Sequence, residues 1–266
     1  MLTSTEKSTG YATVNGLNLY YEVEGGGEPL ILLHGGLGST TMIAGVTAQF
    51  SKQRQVIAVD LYGHGRTALT DRPIGSESMA DDIAALIEFL GLETADVMGY
   101  SLGAATALQL TIRHPERVKK LVVVSTPYKR TGWFPEVLAA MDQMGPGMAE
   151  MMKCSPLYQT YARVAPRPED WPVLITRIAE SLRKDYDRSK DVAAITVPTM
   201  LVFGDADAVP PAHAAEFFGL LGGGKKDAGW DGSGLTQNRL ALLPGATHYN
   251  ILESPLLVPA IAQFLG

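Results

Sequence analysis

Short apolar runs alternate with longer segments of helical periodicity over most of the chain. The first part of the chain predicts a hairpin, because residues 11–14 and 17–24 flank Asn15-Gly16, a pair that favours a two-residue turn. Six apolar runs follow, at residues 29–35, 55–60, 95–100, 120–125, 199–205 and 239–245. Five of these runs are continuously apolar, which is typical of strands buried on both faces of a parallel sheet.

Helical patterns separate these strands. Residues 79–90 place their apolar side chains on one face, and residues 102–113 are apolar nearly all round. Further helices are predicted at 212–221 and 255–265. Alternation of strand and helix predicts an α/β fold with a mostly parallel, doubly wound sheet of eight strands.

One long segment interrupts this alternation. Residues 128–197 contain no strand candidate, and repeated prolines divide their helical pattern. We interpret this segment as a small helical insertion after the sixth strand, within one core domain made of residues 1–127 and 198–266. A second excursion, Gly222–Gly234, is predicted to be a surface loop.

Composition and charge narrow the class of protein. The 266 residues are 46% hydrophobic and 19% charged, with a net charge of −6, and the longest Lys/Arg clusters are pairs. These values indicate a compact protein that does not bind nucleic acid. The single cysteine excludes an internal disulfide. Since the stretch MLTSTEKSTG lacks the apolar core of a signal peptide and no apolar run is long enough to cross a membrane, we expect a soluble, cytoplasmic protein without membrane partners.

The pentapeptide GYSLG at residues 99–103 is the first candidate for chemistry. It joins the run at 95–100 to the helical pattern at 102–113, so Ser101 falls at the carboxyl end of a strand and at the start of a helix. A sharp turn there needs small residues on both sides of the serine, and Gly99 and Gly103 supply them. The hypothesis that Ser101 is a nucleophile predicts a strained backbone with positive φ at this residue.

A serine nucleophile needs a base and an acid that orients the base. Of the five histidines, His248 follows the last predicted strand, at the same edge of the sheet as Ser101. The others are expected to have structural roles: His34, His64, His114 and His213. The acid is expected on the loop after residues 199–204, where Asp205 and Asp207 compete. In extended geometry they point to opposite sides, so one would face His248 and the other would cap the helix that begins near Pro210.

Five motifs together resemble the α/β-hydrolase family, in the family's order and at the ends of the expected strands. They are HGG at 34–36, DLYGHG at 60–65, GYSLG at 99–103, GDADAVP at 204–210 and GATH at 245–248. The resemblance implies the α/β-hydrolase fold with a helical cap after the sixth strand. It favours Asp207 over Asp205 as the acid. It also implies that the backbone N–H groups of Gly36 and Leu102 form the oxyanion hole.

The resemblance implies a cofactor-free serine hydrolase that cleaves esters or lactones of a small molecule through an acyl-enzyme on Ser101. Two alternatives remain at this point: the same triad used for perhydrolysis, C–C bond hydrolysis or a lyase step, and a ligand-binding protein without catalysis. No metal-binding cluster is visible, and HGGLGS lacks the lysine of a phosphate-binding loop.

The insertion suggests the character of the substrate. It contains five methionines between Met141 and Met152, with several aromatic residues around them. Flexible thioethers and aromatic rings suit an adaptable apolar pocket, so we expect a largely apolar substrate. The residues expected to contact it are Tyr100, Met144, Met148 and Tyr249.

Overall fold

The computed structural model describes residues 7–266, and the first six residues of the stretch considered above for a signal peptide lie outside this range. Its eight described strands are β1 Ser8–Val14, β2 Leu17–Glu24, β3 Pro29–Leu33, β4 Gln55–Val59, β5 Ala95–Tyr100, β6 Val118–Val124, β7 Thr199–Ala206 and β8 Arg239–Thr247. They form one sheet in the order β1-β2-β4-β3-β5-β6-β7-β8. β1, β2 and β4 pair antiparallel, and all other neighbours are parallel. The predicted mostly parallel sheet is confirmed.

Helices cover both faces of this sheet. Ten α-helices lie in the described range: α1 Ala44–Phe50, α2 Ser76–Phe89, α3 Leu102–Arg113, α4 Pro135–Gln143, α5 Met148–Met151, α6 Pro156–Val164, α7 Trp171–Leu182, α8 Ser189–Ala193, α9 Pro211–Leu220 and α10 Leu257–Leu265. The short helix α1 was not predicted, because its sequence AGVTAQF carries too few apolar positions for a clear helical face.

The strand sequences explain the two helical layers. Along β3, Ile31 and Leu33 belong to the cluster that packs under α2, α3 and α9, whereas Leu30 and Leu32 belong to the cluster under α1 and α10. Successive strand side chains point to opposite faces, so a strand covered on both sides must be apolar at every position. This requirement is the physical reason for the continuous apolar runs.

The segment between β6 and β7 forms helices α4 to α8, without a strand that joins the sheet. A short antiparallel neck connects it to the core: Lys129 pairs with Asp187, and the Arg130 N–H donates to the Tyr186 carbonyl at 2.9 Å. Trp171 is fully buried inside this segment, and its indole N–H donates to the Ala149 carbonyl at 3.0 Å. We call residues 128–197 the insert.

The remaining excursion, residues 222–234, consists of turns without helix or strand, as expected. None of the helices within residues 7–266 combines the length and the apolar character needed to cross a membrane.

Candidate active site

The turn between β5 and α3 holds Ser101 in an unusual conformation. Its φ is 52° and its ψ is −113°, so the backbone has the positive φ that the sequence predicts. A Cβ at Gly99 would clash with the carbonyl oxygen of Gly103, and a Cβ at Gly103 would clash with the carbonyl oxygen of Leu33. The two glycines therefore allow the close approach of strand and helix that projects the Ser101 side chain from the sheet edge.

His248 follows β8 and reaches Ser101 across the same edge. Its Nε2 lies 3.2 Å from Ser101 Oγ, and its Nδ1 lies 3.2 Å from Asp207 Oδ1. The aspartate next to Nδ1 favours the tautomer in which Nδ1 carries the proton, which leaves Nε2 free to accept the Ser101 hydroxyl hydrogen. Both distances are slightly long, as is common for catalytic hydrogen bonds without substrate.

Asp207 is held by more than the histidine. Its Oδ2 accepts hydrogen bonds from Ser125 Oγ at 2.5 Å and from the Gly204 N–H at 3.1 Å. Burial raises the pKa of this carboxyl, but the hydrogen bonds from His248 and Ser125 outweigh it and place the pKa below its ordinary value. The carboxylate is therefore ionised and oriented toward His248.

Asp205 has a different environment from the one expected. Its Oδ1 accepts a hydrogen bond from the Gly245 N–H at 2.9 Å. The expectation that this aspartate caps the next helix is wrong, since α9 begins after Pro210 without a side-chain cap. The carboxylate instead bridges β7 to the end of β8, where the register of the two strands shifts. Because it is used in this contact between strands, it is not available to cap α9.

The other four histidines have structural contacts. Nε2 of His34 accepts a hydrogen bond from the Leu61 N–H at 3.0 Å, which ties the loop after β3 to the loop after β4. His64 is fully buried beside it, with 5.3 Å between the ring centroids. His114 pairs with an aspartate of α2 at 2.7 Å, and His213 stacks on an aromatic ring at 4.5 Å.

The predicted oxyanion donors face the same space as Ser101. Gly36 and Leu102 both line the cavity that contains Ser101. Among residues 7–266, neither backbone N–H has a protein acceptor. Leu102 is also the first residue of α3, where the helix dipole adds positive potential. The two N–H groups are therefore available to a substrate oxygen.

Aromatic rings fix the position of His248. The Tyr100 hydroxyl donates to the His248 carbonyl at 2.6 Å. The Trp133 ring meets the imidazole edge-on, with 5.5 Å between centroids. Tyr100 comes from the core and Trp133 from the insert, so both parts of the chain hold the imidazole.

A cavity of about 540 Å³ opens above Ser101, between the sheet edge and the insert. Tyr100, Met144 and Tyr249 line it, as the sequence predicts, whereas Met148 does not. Met148 is the first residue of α5, after the turn Gly145–Gly147, and is not packed against the cluster that Met144 joins. About half of the other lining side chains are polar or charged, and the rest are mainly apolar, among them Leu37, Met42, Ile74, Trp133, Met141, Leu157, Ile178 and Leu182.

Sequence reasoning missed two residues of this site. Ser125 is the first polar residue after the buried strand β6, and its place at the carboxyl edge is a signal that could have been used. Arg188 lines the cavity from the neck of the insert, and nothing in the local sequence marks it.

Comparison with known proteins agrees with this geometry. The family model for the alpha/beta hydrolase fold matches residues 28–154. A protein of Caulobacter sp. (strain K31) named "Putative carbamate hydrolase RutD" is 32% identical, over 84% of this chain and 91% of its own length. The chain therefore belongs to the α/β-hydrolase family, and the prediction of that family is confirmed.

Solved structures show the same fold. The crystal structure of E-2-(acetamidomethylene)succinate hydrolase is similar with a TM-score of 0.76 and 22% identity, covering 98% of this chain and 99% of that one. The enol-lactonase from Burkholderia xenovorans LB400 has a TM-score of 0.71 and 21% identity, covering 96% and 99%. At this identity the likeness establishes the fold of the chain, including its eight-stranded sheet.

Proposed function

We propose that the protein is a serine hydrolase that cleaves an ester or lactone bond of a small substrate through an acyl-enzyme on Ser101. The observation that carries the proposal is the continuous series of contacts from Asp207 through His248 to Ser101, with 3.2 Å at each step. The strained backbone at Ser101 supports it, because strain of this kind is stored at functional positions. The Caulobacter relative named as a carbamate hydrolase supports hydrolysis at a carbonyl carbon.

The geometry accounts for each step of acyl transfer. With the substrate carbonyl above Ser101, Oγ attacks the carbon while its proton moves to Nε2 of His248. Asp207 stabilises the imidazolium that forms. The carbonyl oxygen becomes an oxyanion that the N–H groups of Gly36 and Leu102 bind, an interaction that contributes about 3 kcal/mol per donor in comparable enzymes.

Collapse of the tetrahedral intermediate completes the first half of the reaction. His248 gives its proton to the leaving oxygen, and the alcohol departs from the acyl-enzyme on Ser101. A water molecule then loses a proton to Nε2 and attacks the acyl carbon, and Ser101 leaves with that proton. The cavity volume of about 540 Å³ suits a small organic substrate, and the apolar lining suits its hydrocarbon part.

Turnover of 4-nitrophenyl acetate and butyrate by the wild type and Ser101→Ala tests the proposal. We expect kcat/KM to fall by roughly 10⁴ or more in the variant. Labelling by a fluorophosphonate, followed by peptide mass spectrometry, should place the adduct on Ser101. Equal rates for the two proteins, or an adduct elsewhere, would show that Ser101 is not the nucleophile.

A further inference from the structure

Arg188 stands out among the residues that line the cavity. It is only 7% exposed, and it leaves the neck of the insert just before α8. Its guanidinium lies over the Tyr186 ring, 4.3 Å from the centroid. An arginine keeps its charge in proteins, so a buried guanidinium must be compensated by hydrogen bonds and by a negative partner.

The compensation within the described chain is incomplete. Nη2 of Arg188 donates to Ser76 Oγ at 3.0 Å and to Glu77 Oε1 at 3.2 Å. Nε is buried without an acceptor, and no acceptor for Nη1 lies within residues 7–266. The carboxylate partner is itself 53% exposed at its side chain, so it compensates the buried charge only partly.

Arg130 provides a contrast within the same cavity. Its Nη2 donates to Asp142 at 2.5 Å and its Nε to the Leu182 carbonyl at 3.1 Å. Both groups therefore have protein partners of their own. Lys184 also lines the cavity but is exposed to solvent, so among the cations that line the cavity Arg188 is the buried one.

The N-terminus of α2 lies beside Arg188. This helix runs over 14 residues from Ser76, its N-cap residue Gly75 supplies no side-chain cap, and residues 75–77 line the cavity. The first N–H groups of a helix and its dipole favour an anion. The guanidinium and the helix thus direct positive potential to one corner of the cavity.

From this corner we infer that the substrate carries a carboxylate that binds to Arg188 and to the N-terminus of α2. The inference rests on the proposed hydrolase function and narrows its substrate class to small esters or lactones with a free carboxylate. A planar carboxylate matches the guanidinium fork. A dianionic phosphate fits less well, because Glu77 already places one negative charge beside the same donors.

Binding in the Ser101→Ala background tests this inference independently of turnover. The probe is 3-phenylpropanoate, compared with the neutral 3-phenylpropanamide, by titration calorimetry. We expect the acid to bind roughly tenfold to a hundredfold more tightly than the amide, as for charge-assisted hydrogen bonds. Arg188→Gln should bring the two affinities together. Equal affinities before that substitution, or an unchanged ratio after it, would overturn the inference.

Two further variants keep the test decisive if Arg188→Gln does not fold. Glu77→Gln removes the competing carboxylate, so it should tighten binding of 3-phenylpropanoate several-fold; unchanged or weaker binding would contradict the proposed site. Arg163→Gln removes a cation from an exposed position of α6, outside the cavity, and should leave the ratio of acid to amide affinity as it was.

Turnover gives a second readout in the wild type. The monoester 4-nitrophenyl glutarate and 4-nitrophenyl pentanoate have acyl chains of equal length, and only the first ends in a carboxylate. We expect kcat/KM to favour the glutarate at least tenfold, and Arg188→Gln to abolish this preference. Equal rates for both esters would count against the carboxylate site alone. Turnover that persists after Ser101→Ala would instead count against the hydrolase proposal.

Discussion

The sheet edge and the insert meet at the same cavity, but they are built differently. Helix α3, which begins after Ser101, has eight buried residues among its 12, whereas α4 of the insert has none among its nine. Close-packed surroundings fix a side chain in one position, and half-exposed ones allow it to move. The atoms proposed to react therefore belong to the rigid part, whereas the adaptable part contributes nearly half of the residues that line the cavity.

The insert nevertheless has rigid points of its own. Trp171 is buried inside it and donates to the Ala149 carbonyl, and the pairing of Lys129 with Asp187 joins the two strands of chain at its neck. Trp133 and Arg188, which lie at or near this neck, are buried, whereas Met144 farther along is only half-buried. We therefore expect substitutions at the sheet edge to act on the chemical step, and substitutions of the residues by which the insert lines the cavity to act on substrate selectivity.

The largest expected effect is at Asp207. Asp207→Asn removes the charge that stabilises the imidazolium and permits the wrong histidine tautomer, so kcat should fall by about 10⁴. The measurement is steady-state turnover of 4-nitrophenyl butyrate. Asp205→Asn is the matched control, since Asp205 contacts the Gly245 N–H and not His248. A comparable loss in the control variant would mean that the acid has been wrongly assigned.

Ser125 should have the next largest effect. It donates to Asp207 at 2.5 Å and has a positive φ of 56°. Ser125→Ala and Ser125→Gly both remove the hydroxyl, so kcat should fall roughly tenfold or more in each while KM changes little. Glycine tolerates the positive φ better than alanine, so thermal unfolding should show the glycine variant to be the more stable. If kcat follows stability rather than the hydroxyl, Ser125 does not act by positioning Asp207.

The proposed triad shows how much of the site can be predicted from the sequence. Ser101, His248 and the pair of candidate acids can be predicted because each follows a recognisable apolar strand at the carboxyl edge of a parallel sheet, and the family resemblance then favours Asp207 over Asp205. Parallel strands bring such ends together wherever they lie in the chain. The two helical layers follow from the continuously apolar strands, and the positive φ at Ser101 follows from the hypothesis of a sharp turn between strand and helix.

The missed features depend on contacts that no local pattern encodes. Arg188 reaches Ser76 from 112 positions away, and Ser125 reaches Asp207 from 82. Met148 was expected at the cavity because five methionines occur close together, but the turn before α5 directs the chain elsewhere. In the core, the pairing of strands allows the position of a residue to be predicted from the strand that it follows. In the insert, prolines and turns separate the helices, so their relative directions cannot be predicted from the sequence.

Acid should weaken the core through three buried histidines outside the catalytic series. Burial lowers the pKa of His34 and that of His213 to about 4 and that of His64 to about 3, from an ordinary value of 6.5. Below pH 6.5 these histidines are therefore protonated in the unfolded chain but remain neutral in the folded chain. The stabilisation is complete above pH 6.5 and is lost as the pH falls toward these lower values, by about 2 kcal/mol per histidine at pH 5.

Urea unfolding at pH 7.5 and pH 5 measures this loss. The free energy of unfolding should be lower at pH 5, and in His64→Gln the difference between the two pH values should shrink by about the share of one histidine. An unchanged difference in the variant would show that His64 does not exclude the proton. The insert contributes little to this effect, because it contains none of the five histidines.

The smallest expected change in stability lies in the insert itself. Met144 is half-buried and lines the cavity, so Met144→Ala should lower the free energy of unfolding by less than about 1 kcal/mol. A smaller truncation in the core, Val123→Ala, leaves a hole at a fully buried position and should cost about 2 kcal/mol.

The effect of the two variants on substrate selectivity should have the opposite order. Met144→Ala should change KM for 4-nitrophenyl hexanoate several-fold relative to KM for the acetate, because the longer acyl chain loses an apolar contact. Val123→Ala should alter both esters alike. If both variants change the ratio of the two KM values equally, the adaptable insert does not select the substrate, and the division of roles between the two regions fails.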